Sequence, residues 1–146
     1  MGSGMIDKEE TNVGAHALLV ARGGKVILQQ RDLSPGIVNP GLISMFGGTL
    51  KHSDDLNKGL KRELLEELEL NTDNYPTKKL GVFYKTQDID GVNWTVNVFI
   101  VDNVEPADVK VHEGRGYICD FPEELLKSDK LTRITRLALE KYILSK

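Results

Sequence analysis

The helical pattern between residues 56 and 70 constrains the fold of this chain more than any other feature. Leucines recur there at every fourth position, and they are Leu56, Leu60, Leu64 and Leu68. Because an α-helix turns by about 100° per residue, this spacing builds one apolar stripe that must be buried against another layer. Just before it stand Ser53, Asp54 and Asp55, which are residue types that begin helices. The stretch therefore predicts a helix packed on a sheet.

A second stripe of the same helix carries three carboxylates. Glu63, Glu66 and Glu67 occupy positions i, i+3 and i+4, which share one helix face. Like charges at these spacings oppose helix formation by roughly a few tenths of a kcal/mol per pair unless a cation lies among them. Oxygen ligands on a rigid element suit a hard divalent cation such as Mg²⁺ or Mn²⁺. Arg62 stands four residues before Glu66, so a forked ion pair with that carboxylate is expected. A solvated acidic helix face is the alternative.

The longer pattern around this helix resembles the signature of the Nudix hydrolase family. That signature reads Gly-x5-Glu-x7-Arg-Glu-U-x-Glu-Glu-x-Gly-U, where U is a bulky apolar residue. In this sequence the matching positions, with every gap length in agreement, are Gly48, Arg62, Glu63, Leu64, Glu66, Glu67 and Leu70.

Two positions of this sequence depart from the signature. Asp54 stands where the family has Glu, which keeps the charge but shortens the side chain by one methylene. Glu69 stands where the family has Gly. Since a Gly after a helix commonly ends it in the left-handed conformation, Glu69 predicts one of two outcomes. Either the helix continues towards Asn71, or its end is capped in another way.

The resemblance implies an α/β (α+β) fold, a Nudix-like helix–sheet–helix sandwich with a mixed β-sheet. It also implies metal-dependent hydrolysis of a diphosphate linkage in a nucleoside diphosphate derivative, such as a nucleotide sugar, a nucleoside triphosphate or a dinucleotide. Mg²⁺ or Mn²⁺ would be held by Glu63, Glu66 and Glu67. Glu66, Glu67 and Arg62 are the expected catalytic residues on the helix. In the family the general base is a glutamate of the helix or an acid of a later loop, and Glu113 is the later candidate here.

Two other functional classes stay open at this point. The first is a Nudix-like module that binds a nucleotide with weak or no catalysis, with the substitutions at Asp54 and Glu69 as signs of drift. The second is a helical scaffold whose acidic face binds a basic partner. The scaffold explains the charges, but it does not explain the Gly-Gly pair or the matching gap lengths.

Candidate substrate contacts precede the helix. Gly47 and Gly48 have no side chains, so their backbone N–H groups are expected to approach a phosphate or a water molecule. Arg31 opens the loop 32–41, and a cation there is placed to meet a phosphate. A surface Arg31 with a salt bridge is an equal alternative. Tyr84 and Trp94 are interpreted as core residues in preference to base-stacking platforms.

Alternating and apolar runs predict the remaining elements. The expected strands cover residues 13–21, 25–31, 42–46, 77–86, 92–101 and 117–121, with a further short strand between 104 and 111. The first two runs are expected to pair as a hairpin, and so are the runs 77–86 and 92–101, which a turn at Asp88–Gly91 joins. Helices are expected from Pro122 and over residues 131–144. The order of strands, helix, strands and helix predicts a mixed sheet covered by helices on both faces.

Composition limits the partners. The 146 residues carry a formal net charge of −3, with an isoelectric point near 5.6. Neither a nucleic acid nor an anionic membrane surface is drawn to such a chain. The resemblance to the Nudix family implies a small-molecule nucleotide as the partner. No apolar run reaches the roughly 18 residues of a membrane span. A homodimer stays open.

Residues 13–146 are expected to form one domain, after a tag remnant and a flexible start over residues 1–12. Cys119 is the one cysteine of the sequence, so an internal disulfide is excluded. It lies in an apolar run and is interpreted as a small core residue, not as a nucleophile. A cytoplasmic location is therefore expected.

Overall fold

The computed structural model describes residues 12–31, 41–50, 55–86, 93–112 and 116–146. Its elements in chain order are β1 (Asn12–Val20), β2 (Val26–Gln30), β3 (Ile43–Ser44), β4 (Phe46–Thr49), α1 (Leu56–Leu68), β5 (Thr77–Thr86), β6 (Asn93–Val101), β7 (Gly116–Asp120), α2 (Pro122–Leu125) and α3 (Arg133–Leu144). Short 3-10 turns occur at Thr72–Asn74 and Pro106–Asp108. The predicted Asp88–Gly91 turn and two candidate residues, Asp54 and Glu113, lie outside the described residues.

The described strands form one mixed sheet in the order β3-β2-β1-β6-β5, with β4 paired to β1 and β7 paired to β2. β1 is central, because it pairs in parallel with β6 and antiparallel with both β2 and β4. The hairpin predicted from the first two apolar runs is confirmed, as is the antiparallel pairing of β5 with β6.

Helices cover both faces of this sheet, as the sequence predicted. The stripe residues Leu60, Leu64 and Leu68 of α1 are buried on one face, against Ala15, Phe46 and Phe99 among others. Each such leucine contributes about 1.5–3 kcal/mol when fully buried. On the other face α3 packs Ile134, Ala138, Leu139 and Tyr142 against a second cluster, which includes Leu28 and Ile100. No helix in the described part of the chain has the length and apolar character to cross a membrane.

Both ends of α1 are capped by side-chain or backbone groups. At the start, the Asp55 carboxylate accepts hydrogen bonds from the N–H groups of Asn57 (2.8 Å) and Lys58 (3.3 Å). At the end, Glu69 adopts the left-handed conformation with φ 57° and ψ 31°. Its N–H donates to the Leu65 carbonyl at 3.0 Å. The helix therefore does not continue to Asn71, and a non-glycine residue takes the glycine conformation at a cost of about 1 kcal/mol.

The strand predicted between residues 104 and 111 is wrong. This stretch contains a 3-10 turn at Pro106–Asp108, and residues 109–112 have no strand partner among the described residues. Their N–H groups bond to α1 instead, since Lys110 N–H donates to the Leu68 carbonyl and His112 N–H to the Glu67 carbonyl, each at 3.3 Å. Backbone groups that satisfy a helix end are not available to a sheet.

The two aromatic residues of the second hairpin separate in the fold. Trp94 is partly buried and packs against the cluster under α3, so its interpretation as a core residue is confirmed. Tyr84 is 75% exposed, so the same interpretation is wrong for it. Its neighbour Phe83 packs against the cluster under α3, whereas Tyr84 belongs to neither of the two helix-covered clusters.

The start of α3 fixes the chain that enters the Gly-Gly pair. Ile43 N–H donates to the Lys130 carbonyl at 2.8 Å, and Thr132 N–H returns a bond to the Ile43 carbonyl at 3.0 Å. Two residues later, Met45 N–H donates to the hydroxyl oxygen of Thr135 at 3.2 Å. Thr135 is only 1% exposed, so this hydroxyl satisfies a donor that water does not reach.

Replacing Thr135 by valine should lower the free energy of unfolding by about 1–3 kcal/mol, because the buried Met45 N–H loses its acceptor. The change keeps the shape of the side chain, so packing is little affected. Urea unfolding measures the loss. Thr49→Val, at an exposed strand position, is the matched control and should change stability by less than about 0.5 kcal/mol. Equal effects of the two changes would contradict a role for the buried hydroxyl.

Candidate active site

The three carboxylates of α1 line one wall of a cleft of about 330 Å³. The residues that line it are Gln29, Arg31, Phe46, Gly47, Glu63, Glu66, Glu67, Leu68, Val111 and His112. This volume lies within the range of small-molecule sites, about 300–1,000 Å³. The structure thus brings together Arg31, Gly47 and all three glutamates, which the sequence had placed in three separate segments.

Gly48 makes room for the first of these carboxylates. A Cβ at this position would lie 2.8 Å from Cδ of Glu63 and would overlap the carboxylate oxygen. The Glu63 side chain is 18% exposed, so it lies largely under the strand. Gly48 is not among the described glycines that have a positive φ. It is therefore required for space and not for its backbone conformation.

Gly47 holds a second carboxylate. Its N–H donates to Oε1 of Glu67 at 3.3 Å. Its φ is 138°, and a Cβ would lie 2.6 Å from the Cα of His16 on the neighbouring β1. Both glycines belong to β4 and bring the strand backbone close to the acidic face of α1. Their predicted contact with a substrate phosphate stays a prediction.

Arg62 lies between two carboxylates. Its Nη2 is 3.5 Å from Oε2 of Glu63, and its Nε is 3.8 Å from Oε1 of Glu66. The predicted ion pair with Glu66 is therefore present, through Nε, and the planar guanidinium also reaches the adjacent Glu63. One cation thereby offsets part of the repulsion on this face.

The three glutamates line the same wall without converging on one point. Among the described residues, no three His, Cys, Asp or Glu side chains are close enough together to hold a metal ion as they stand. Glu63 and Glu66 face Arg62, and Glu67 accepts from Gly47, so each carboxylate has a partner within the protein. The donors are oxygens only, on one rigid helix, and this chemistry fits Mg²⁺ or Mn²⁺.

The cleft is also lined by residues that the sequence reasoning missed. Gln29 lies on β2 and precedes Arg31, the second residue after it, which follows the end of that strand; both line the cleft. Since side chains two apart on a strand share a face, the position of Arg31 was a usable signal for Gln29. His112 and Val111 also line the cleft, but their packing on the end of α1 had no signal in the sequence pattern.

Cys119 is not activated for nucleophilic chemistry. Burial raises the pKa of its thiol above the ordinary value, and the nearby Lys25 opposes this effect only in part. A raised pKa means less thiolate at neutral pH, and the thiolate is the nucleophile. The side chain packs against the cluster under α1, as expected for a small core residue.

Comparison with known proteins agrees with this architecture. The NUDIX domain family model matches residues 10–140. The chain is similar in structure to a MutT NUDIX hydrolase from Burkholderia pseudomallei, with a TM-score of 0.75 and 23% identity over 91% of this chain and 98% of that one. It is also similar to the E. coli dihydroneopterin triphosphate pyrophosphohydrolase, with a TM-score of 0.74 and 14% identity over 92% and 96% of the two chains. For the C. elegans Ap4A hydrolase the TM-score is 0.69, at 14% identity over 93% and 98%.

A search of curated proteins returns no match. The family-model match, on a chain with the same mixed sheet between helices, supports a Nudix-type pyrophosphohydrolase. The chain belongs to the NUDIX domain family, whose model covers most of its length. The family resemblance and the enzyme class expected from the sequence are confirmed.

Replacing Gly48 by alanine should displace the Glu63 carboxylate, because the new Cβ needs the space that it occupies. We expect kcat to fall on the order of 100-fold, the usual result of moving a catalytic group by about 1 Å. Steady-state hydrolysis measures the change. Gly81→Ala is the matched control, since its Cβ would meet only the flexible end of Lys141, and its kcat should be unchanged. A Gly48→Ala enzyme with normal kcat would contradict the requirement for space at Gly48.

Proposed function

We propose that this enzyme hydrolyses a diphosphate linkage in a nucleoside diphosphate derivative, with Mg²⁺ or Mn²⁺ held by Glu63, Glu66 and Glu67. The observation that carries the proposal is the composition of the cleft, which is lined by three carboxylates of one helix and by the guanidinium of Arg31. Among the described residues that line the cleft, these three carboxylates are the groups that attract a divalent cation.

The charges of the cleft and of the substrate support a bound cation. A diphosphate is shielded from attack by its own negative oxygens, and a wall of three glutamates repels it further. Mg²⁺ bound at this wall would neutralise phosphate charge and make a nearby water easier to deprotonate. Arg62 lies beside Glu63 and Glu66 and keeps them oriented towards the cleft.

The remaining residues of the cleft suit substrate binding. Arg31 carries a permanent positive charge and a planar fork of donors, so we assign it to a phosphate of the substrate. Gly47 has no side chain and lines the cleft, so it allows the phosphates to approach the backbone of β4. The water attacks phosphorus, the bridging P–O bond breaks, and the proton passes to a carboxylate that acts as base.

The identity of the substrate needs a screen. Proteins that share this fold are named for different substrates, dihydroneopterin triphosphate in one case and Ap4A in another. We propose a nucleotide sugar, a nucleoside triphosphate or a dinucleotide for this chain, acted on in the cytoplasm. Pyrophosphate or phosphate released from nucleoside triphosphates should be measured with Mg²⁺. The phosphomonoesters released from nucleotide sugars and dinucleotides should be measured as phosphate after an added phosphatase, which cannot act on the intact substrates. Binding without turnover of any of them would favour a nucleotide-binding module instead.

Changing Glu66 and Glu67 together to glutamine should abolish hydrolysis, because two of the three proposed metal ligands lose their charge. Without metal the variant should be at least as stable as the wild type, since repulsion on the helix face is relieved. Saturating Mg²⁺, at about 100 times its dissociation constant, should stabilise the wild type by about 2.7 kcal/mol and the variant hardly at all.

The control for this variant carries the same change of charge far from the cleft. Glu123 and Glu140 are exposed residues of α2 and α3, and their joint replacement by glutamine should leave turnover and the Mg²⁺ response intact. Unchanged turnover in the Glu66 and Glu67 double variant would remove the metal proposal.

Arg62→Lys keeps the positive charge but loses the planar group that reaches both Glu63 and Glu66. We expect kcat to fall by about 10- to 100-fold with little change in KM, since the residue orients the site and does not bind substrate. Full kinetics with Mg²⁺ at saturation measure both constants. A rise in KM alone would show that Arg62 contacts the substrate.

Glu113 stays a proposal as the general base, because it lies outside the described residues. Its described neighbour His112 lines the cleft, and this supports the proposal. Glu113→Gln should lower kcat by roughly two to four orders of magnitude and flatten the acid limb of the pH profile. A loss of less than about threefold, with the limb intact, would return the role to a glutamate of α1.

A further inference from the structure

The end of α1 carries a side chain that the local backbone does not favour. Glu69 occupies the left-handed conformation in which helices commonly place glycine. An L-residue with a Cβ is strained there, so the helix end gains no stability from the glutamate. The role of Glu69 must therefore come from the contact that its side chain makes.

That contact is with His112. Oε2 of Glu69 lies 2.9 Å from Nε2 of His112, as an ion pair when the imidazole is protonated or as a hydrogen bond when Nε2 carries the proton of the neutral ring. Both side chains are about half exposed, at 54% and 48%. Exposed pairs of this kind contribute little to the free energy of unfolding, so the pair does not add more stability than the strained conformation of Glu69 removes.

The position of His112 shows what the pair can do. Residues 110–112, which we call the cleft strap, cross the end of α1 and bond to it through Lys110 N–H and His112 N–H. Both bonds are long, at 3.3 Å, so the backbone alone holds the strap weakly. Val111 and His112 of the strap line the cleft beside Glu66 and Glu67.

We propose that Glu69 is a positioning residue that holds the cleft strap against the end of the catalytic helix through His112. The proposal rests on the function proposed above, since the wall that it fixes is the wall of the hydrolytic cleft. A glycine at position 69 would relax the helix end and release the strap. Glu69, where the family signature has Gly, thus makes the end of α1 less stable but holds the cleft strap in one position.

Glu69→Gly provides the test, because stability and activity should change in opposite directions. Its unfolding temperature should equal or exceed that of the wild type, while kcat/KM falls about tenfold and amide exchange of residues 110–112 becomes about three- to fivefold faster. A purely structural role would make the activity follow the stability. Asn103→Gly is the matched control, since Asn103 also has a positive φ, of 60°, but does not line the cleft. It should change neither kcat/KM nor exchange of the strap.

Two further variants sharpen the result. The Gln side chain of Glu69→Gln can still accept a hydrogen bond from Nε2–H of His112, so this variant should keep kcat/KM within about threefold of the wild type. His112→Ala should lose as much kcat/KM as Glu69→Gly. The double variant Glu69→Gly with His112→Ala should lose no more than either single one.

Additive losses, a Glu69→Gln enzyme as impaired as Glu69→Gly, or unchanged strap exchange in Glu69→Gly would each overturn the proposal. The substrate should be the nucleoside diphosphate derivative that the wild type hydrolyses fastest. A wild type that hydrolyses none of them would defeat the proposed function instead, and amide exchange would then decide the inference about the strap without reference to activity.

Discussion

The close approach of a glycine strand to an acidic helix face is the interaction on which the site depends. β4 offers no side chains at Gly47 and Gly48, so Glu63 fits under one and Glu67 accepts from the N–H of the other. The approach is enforced from both directions. The leucine stripe buries α1 against the sheet, and the Thr135 hydroxyl fixes Met45 just before the glycines. Packing on two faces of the sheet thus fixes the distance between β4 and α1, and a Cβ at Gly48 would already overlap the Glu63 carboxylate.

Charge is arranged around the same contact. Three carboxylates on one wall are unfavourable by themselves, and Arg62 offsets two of them while leaving the wall acidic towards the cleft. Arg31, just after the end of β2, lines the same cleft. A cation and an anionic substrate can therefore be held at adjacent positions, which is the requirement for cleaving a shielded diphosphate.

The sequence predicted the elements whose pattern depends on burial. The leucine spacing placed α1, alternating runs placed β1, β2, β5 and β6, and signature spacing identified the glutamates. It did not predict the path of residues 109–112, because their bonds to the end of α1 depend on tertiary proximity and leave no periodic trace. Tyr84 shows the same limit, since propensity favours an aromatic residue in a strand but does not say whether a helix covers it. The end of α1 left two alternatives, and only the backbone angles of Glu69 decide between them.

The central claim is that Glu63, Glu66 and Glu67 bind the divalent cation that hydrolysis requires. Crystals of the wild type soaked in Mn²⁺ test it directly, because anomalous scattering locates the ion without reference to activity. We expect a peak in the cleft with carboxylate oxygens of this helix at about 2.1 Å, the distance typical of small divalent ions. A peak bound elsewhere on the protein, or none in the cleft at saturating Mn²⁺, would contradict the account.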